Sequence, residues 1–168
     1  MKILLLVISS LINYYPGVAQ VNIDTSRYVV LAKNSMWCPY SGNKHYKTAN
    51  VSAAEITEIE NLLSNCIGEY NIAETKHYEA EEKQFPKFNF KLNDFIISLE
   101  KYKRQLIPVI NAKGEKEVWV NCFRASANEH PYWKKTVVFV NDGGNYYFNV
   151  KINLTTKKYY ALRVNGLG

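Results

Sequence analysis

Cysteine and histidine are scarce, three of each in 168 residues. None falls at the Cys-x-x-Cys or His-x-x-x-His spacing by which a zinc site draws two ligands from one local element. His45, His77 and His130 stand far apart in the sequence, so they read as surface or hydrogen-bonded side chains and no metal centre is expected. Aspartate is as rare: Asp24, Asp94 and Asp142 are the full set. Asp142 belongs to Asn-Asp-Gly-Gly, where aspartate serves a turn, and most glutamates lie on a predicted helix exterior or in EAEEK. Nothing places two carboxylates at hydrolytic spacing. The formal charge is +6, yet no Lys/Arg run exceeds two residues, which favours a solvated basic surface over a nucleic-acid partner. Gly143-Gly144 is not followed by Gly-Lys-Ser/Thr and is no phosphate loop. Cys122 with His130 is the one thiol–imidazole couple to weigh, but Cys122 falls on a predicted core face, where a thiol stays protonated and inert. No cofactor is implied.

Long apolar runs are also missing. The greasiest stretch is Ile3 to Ile12, which as a helix spans about 15 Å, half of a ~30 Å hydrocarbon core. Lys2 precedes it, and Gly17 and Ala19 place small residues at −3 and −1 of a cut before Gln20. This is the pattern of a secretory signal peptide over residues 1–19, leaving a single domain over 20–168 with no transmembrane segment. The mature chain loses Lys2 and keeps +5, 20 basic side chains against 15 acidic. An oxidising destination permits a disulfide among Cys38, Cys66 and Cys122. An odd number leaves one thiol over, with Cys38–Cys66 slightly favoured.

What is present is apolar and aromatic: 47% hydrophobic and 14% aromatic, with thirteen Tyr, enough for a packed core. VSAAEITEIENLLSNCIG predicts a helix over about 52–67. Ser52 and Glu55 form a capping box, with Val51 and Ile56 at the staple positions. Ile56, Ile59, Leu63, Cys66 and Ile67 make one apolar face, and Gly68 stands where a C-terminal glycine would. RYVVLAK at 27–33 reads as a short strand, and 34–50 as a loop tied down by Trp37 and Cys38. Phe88, Phe90 and Leu92 alternate as in an extended segment.

From about residue 102 the period becomes two. RQLIPVI and EVWVNCF flank a glycine-containing hairpin loop, TVVFV and NYYFNVKINL flank NDGG, and TTKK leads into YYALRV. Pro108 marks the first of these as an edge strand. The prediction is an α+β fold, one principal helix on a curved antiparallel meander of four to five strands (about 102–166). Val118, Val120, Cys122, Tyr146, Phe148, Val150, Ile152, Leu154, Tyr160, Leu162 and Val164 are expected to face the helix. Trp119, Asn121, Phe123, Tyr147, Asn149, Lys151, Tyr159 and Arg163 are expected on the opposite face.

The order helix-then-meander resembles the cystatin-like and NTF2-like architectures. KYKRQLIPVINAKGEKEVWVNCF and VNDGGNYYFNVKINLTTKKYYALRVNG also resemble a group of small, uncharacterised secreted proteins of Bacteroidota, over roughly the C-terminal 65 residues. The resemblance implies a fold and no catalytic residues. Cystatins block cysteine proteases through a Gln-x-Val-x-Gly hairpin, whereas the nearest stretch here, Gln105-Leu-Ile-Pro-Val109, lacks the glycine. The expected function is an exported, non-enzymatic binding module for a protein, peptide or glycan. Its candidate surface is the outer sheet face at Trp119, Asn121, Phe123, Tyr147 and Arg163, or the adjoining loops. The alternative is a small secreted enzyme with an NTF2-like pocket between helix and sheet. A competing structural reading has residues 20–50 or 69–92 covering the outer face.

Overall fold

A computed structural model describes Asp24 and residues 26–124 and 130–166. The predicted signal peptide lies outside the described residues. Helix α1 begins where the capping box places it. Ser52 Oγ accepts from the Glu55 N–H at 3.3 Å, and Glu55 Oε2 accepts from the Ser52 N–H at 2.8 Å. The helix then runs over Ala53–Gln84, 32 residues, straight through Gly68, which is not its end.

The second half of α1 has no apolar stripe to announce it, and other forces hold it. Asn71 donates to the Ile97 carbonyl and accepts from the Ile97 N–H, each at 2.8 Å. Phe95 packs edge-on against His77 and Tyr78, and His77 lies between Glu74 and Glu81 at i−3 and i+4. The actual stop is Pro86, which bars the preceding residue from helical backbone; Phe85 closes the last turn on the Glu81 carbonyl. Pro86–Phe88 and Leu92–Asp94 form 3-10 turns, with Asn89 in left-handed backbone between them, in place of the expected extended segment. Among the described residues no helix is long and apolar enough to cross a membrane.

The sheet is mixed. Strands β3 (Tyr102–Ile110), β4 (Lys116–Arg124), β5 (Tyr147–Asn153) and β6 (Lys158–Val164) form the predicted antiparallel meander. Outside β3 lie two short strands. β1 (Tyr28–Val30) pairs parallel to residues 104–106, and β2 (Lys47–Thr48) pairs antiparallel to residues 109–110. Pro108 therefore sits not on a bare edge but where one covering strand gives way to the other. The parallel ladder runs from the Arg104 N–H to the Arg27 carbonyl and ends with the Leu31 N–H on the Leu106 carbonyl. Its next rung would need an N–H at residue 108, which proline lacks.

TVVFV is not a strand. It lies in the long connection between β4 and β5, and NDGG is not a two-stranded hairpin turn. Gly143 there has φ +92°, and a Cβ on it would come within 2.8 Å of the Tyr147 ring.

The inner face is as expected over β4 and β5. Val118, Val120, Cys122, Phe148, Val150 and Ile152 pack with Ile59, Leu63, Cys66 and Ile67 of α1 and with Leu106. Each fully buried aliphatic side chain there contributes roughly 1.5–3 kcal/mol. Buried Arg104 joins this layer, its Nε 2.8 Å from Glu60 Oε1. The guanidinium N–H is not aligned on that oxygen, so the contact is an ion pair rather than a good hydrogen bond.

Three aromatic assignments reverse. Tyr146 precedes β5, is exposed, and stacks on the Arg124 guanidinium at 3.9 Å. Along β6, Tyr159 faces α1, its hydroxyl 2.5 Å from Glu69 Oε1, while Tyr160 turns to the other side. The cause is a β-bulge. Lys151 pairs Tyr160 and Asn149 pairs Arg163, so Ala161 and Leu162 together oppose Val150. Ala161 takes φ +53°, and the extra residue puts Tyr159 and Tyr160 out of step with Leu162 and Val164, which face the helix as expected.

The three thiols are all unpaired and buried. The favoured Cys38–Cys66 bridge is excluded by topology: Cys38 lies in the outer cluster and Cys66 in the inner one, with the sheet between them. Burial pushes the Cys66 thiol up to about 11 and Cys122 up to about 12.

Candidate functional site

The outer face of the sheet carries a second layer. Leu31, Cys38 and Tyr40 from the segment after β1, and Val137 from the β4–β5 connection, pack on Ile107, Val109 and Trp119. Trp133 covers Phe123, ring to ring at 5.8 Å. The connection is fastened by two buried side chains: Asn121 Nδ2 donates to the Val138 carbonyl at 2.8 Å, and Gln105 makes four bonds. Gln105 Nε2 donates to the carbonyls of Trp133 (2.5 Å) and Thr136 (2.7 Å), and its Oε1 accepts from the Val138 N–H (2.8 Å) and Asn121 Nδ2 (3.0 Å). TVVFV fails as a strand because its backbone bonds go to the side-chain amides of Gln105, Asn121 and Asn165 and, at Thr136, to the Tyr132 carbonyl, not to another strand. Gln105 is fully buried in mid-sheet, so the stretch compared with the cystatin motif forms no protruding hairpin.

The expectation of an open aromatic sheet face is thereby corrected. Trp119, Asn121 and Phe123 do point outward, but they are 7%, 7% and 2% exposed. Half of the cover comes from residues 31–46, inside the stretch considered for it. The other part comes from 130–141, where the sequence predicts the strand TVVFV.

What remains open is a groove of about 800 Å³ between this cover and the outer side of β5 and β6. Trp119, Asn121, Tyr147 and Arg163 all line it; Phe123 does not, being sealed beneath Trp133 and His130. Trp119 Nε1 donates to Asn149 Oδ1 at 3.1 Å, which fixes both on the groove wall. Tyr147 is held by His130, whose Nε2 lies 3.1 Å from its hydroxyl. Asn165 Nδ2 donates to the carbonyls of Val140 and Asp142, tying the residue after β6 to the cover. Lys151 reaches over the Tyr40 ring at 5.1 Å, and Arg163 is exposed. Among the described residues the lining carries these two cations and no carboxylate.

At the rim, Trp37 and Phe139 stack with centroids 4.6 Å apart and planes 12° apart, and they stay 58% and 50% exposed. Of the two anchors expected for this loop, Cys38 is buried and holds it together with Tyr40, while Trp37 takes φ +67° and turns outward. Sequence reasoning named neither Trp37 nor Phe139 as site residues. Aromatics in turn-rich or strand-like stretches read as core, and only the fold brings positions 37 and 139 together. Cys122 and His130 are not brought together: the thiol is in the inner core and the imidazole stands against Phe123 on the outer side.

No family model, curated protein or solved structure matches the chain. The groove is therefore read on its chemistry alone. It has donors (Arg163, Lys151), amides (Asn121, Asn141, Asn149) and a flat aromatic rim. Such a set can hold an anionic or hydroxyl-bearing ligand.

Proposed function

We propose that the protein is an exported, non-enzymatic recognition module, with a cystatin-like layout of helix on meander, that takes an anionic ligand in the outer-face groove. One observation carries the reading: the groove lining holds Lys151 and Arg163 with no opposing carboxylate. A concave site with one sign of charge concentrates ligands of the other sign. The exposed Trp37–Phe139 stack gives a planar ligand face, sugar or peptide, a rigid surface that costs little entropy to present. The helix–sheet interface supports this reading over an NTF2-like enzyme pocket, because buried Leu63, Cys66, Leu106, Val120 and Phe148 fill it.

An array of acidic and neutral oligosaccharides and peptides tests the binding half. Acidic members should bind in preference, more weakly as salt is raised. Arg163→Glu, at an exposed position, should weaken them at least about tenfold, or ~1.4 kcal/mol. Equal binding of neutral members, or an unchanged affinity in Arg163→Glu, would refute it. Intact mass of the protein from its native host tests export: the expected N-terminus is Gln20, and retention of Met1 to Ala19 defeats that half.

A further inference from the structure

Three strands set a polar row on the floor of the outer-face groove. Asn121 of β4 stands opposite Asn149 of β5, and Asn149 opposite Arg163 of β6. Opposed side chains on antiparallel strands are about 5 Å apart, so the row is roughly 10 Å long. Other bonds fix which end of each amide faces the groove. Asn121 Nδ2 gives its hydrogens to Gln105 Oε1 at 3.0 Å and to the Val138 carbonyl at 2.8 Å. Asn121 is 7% exposed, and its Oδ1 has no donor among the described residues; unlike the Tyr40 hydroxyl, that oxygen is not sealed from solvent. Asn149 is set the other way round. Its Oδ1 accepts from Trp119 Nε1, which leaves its Nδ2 hydrogens to the groove. Arg163 is exposed and pairs with no carboxylate among the described residues. The floor thus presents an acceptor, a neutral donor and a cation in line.

The rim adds an aromatic face. Trp37 takes left-handed backbone at φ +67°, a costly placement for a bulky residue. That backbone holds the indole against Phe139 with an outer face of the stack left to solvent at the groove. A second opening on the outer face, a cleft of about 720 Å³ beside the β3–β4 hairpin, is closed on itself. Asn111 donates to Glu115 and Glu117, Asn153 donates to Glu115, and the Tyr160 hydroxyl bonds Glu117. Its carboxylates repel the anions that the groove attracts.

Resting on the anionic reading of the groove, we infer that its ligand is an acidic saccharide. A hexuronate unit would set its carboxylate on Arg163, its hydroxyls on Asn121 Oδ1 and Asn149 Nδ2, and a pyranose face on the Trp37–Phe139 stack. A simple anion such as sulfate offers only acceptors and leaves Asn121 Oδ1 unmatched. A sugar hydroxyl donates and accepts, so it answers the acceptor and the neutral donor alike. An extended acidic peptide also carries N–H groups, but such peptides are held chiefly through main-chain bonds at a sheet edge. The floor here is a sheet face, and the backbone beneath it is engaged in the β4–β5 and β5–β6 ladders. Side-chain amides, a guanidinium and a flat aromatic surface are what that face offers, and the apolar C–H side of a sugar ring packs on such a surface.

Titration calorimetry tests this with trimers of galacturonate and of mannuronate, with their methyl esters, and with an acetylated tri-glutamate amide of the same charge. At least one uronate trimer should bind about tenfold or more tighter than its ester and than tri-glutamate. Trp37→Gly removes an exposed ring and suits left-handed backbone. It should weaken the uronate about fivefold and leave any tri-glutamate binding unchanged. The uronate should also change the tryptophan emission saturably, and less so in Trp37→Gly. Should that variant misfold, Phe139→Ala at the other exposed ring takes its place with the same expectation. Equal or tighter binding of tri-glutamate overturns the saccharide assignment and leaves the anionic reading standing. Esters that bind as tightly as the acids overturn both. No saturable binding of either uronate, or unchanged uronate affinity in the folded variant, overturns the assignment alone.

Discussion

Replacing Trp119 by alanine is expected to destabilise the protein by about 3–5 kcal/mol, the range for emptying a buried aromatic site. The indole is 7% exposed and packs between Leu31, Cys38, Tyr40, Ile107, Val109 and Val137. Its Nε1–H also bonds Asn149 Oδ1, so the truncation leaves both a cavity and a groove amide without its donor. Chemical denaturation of the wild type and of Trp119→Ala measures the difference directly, and the melting temperature should fall on the order of 10 °C. A loss below about 1 kcal/mol is the value for a surface substitution. It would mean that the outer layer does not sit on this face. Groove binding should weaken as well, since Trp119 forms part of the groove wall.

Gln105→Leu should have a comparable effect by a different route. The volume is nearly conserved, so packing is not the issue. The lost groups are the two Nε2–H donors and the Oε1 acceptor that fasten residues 133–138. Without them the carbonyls of Trp133 and Thr136 and the N–H of Val138 lose their partners, at roughly 1–3 kcal/mol for each group that stays buried. The connection can relieve that cost by opening to water, which caps the global loss at about 3–4 kcal/mol. Amide hydrogen exchange separates this from simple core damage. Protection should collapse at Val138 and its neighbours while β3, β4 and β5 keep theirs. Unchanged exchange over 133–138 would show that Gln105 is not the fastener. Uniform loss across the sheet would show that the cover and the meander unfold as one unit.

Both experiments probe the layer that was hardest to read from the residues. The start of α1 was legible because its signals are local: Ser52, Glu55 and the apolar spacing from Ile56 to Ile67 all lie within sixteen residues and act on one another directly. Its end was not, because Gly68 is a weak stop. The continuation to Gln84 rests on Asn71 reaching Ile97 and on Phe95 packing against His77 and Tyr78, contacts made with a distant stretch of chain. The meander strands and the two faces of β4 and β5 were likewise legible from the period of two. Four of the five candidate surface residues reached one groove because face membership follows from parity within a strand. The parity of Tyr159 and Tyr160 failed because a bulge at Ala161 adds one residue, and no side-chain pattern in YYALRV marks it.

The sequence by itself thus determined one strongly capped helix, four alternating strands, their inward and outward sides, and an α+β arrangement in which the helix covers one side. Only the tertiary structure decided what covers the other side. Whether Trp119 is a ligand anchor or a core residue depends on where residues 31–46 and 130–141 lie. The first is placed by the pairing of β1 and β2 with β3, and the second by Gln105, whose bonds to Trp133, Thr136 and Val138 reach about thirty positions along the chain. The same holds for the two openings that survive. Trp37 meets Phe139, and Glu117 meets Tyr160, through long-range packing. Short-range periodicity reports which way a side chain points, and it carries no information about what stands opposite.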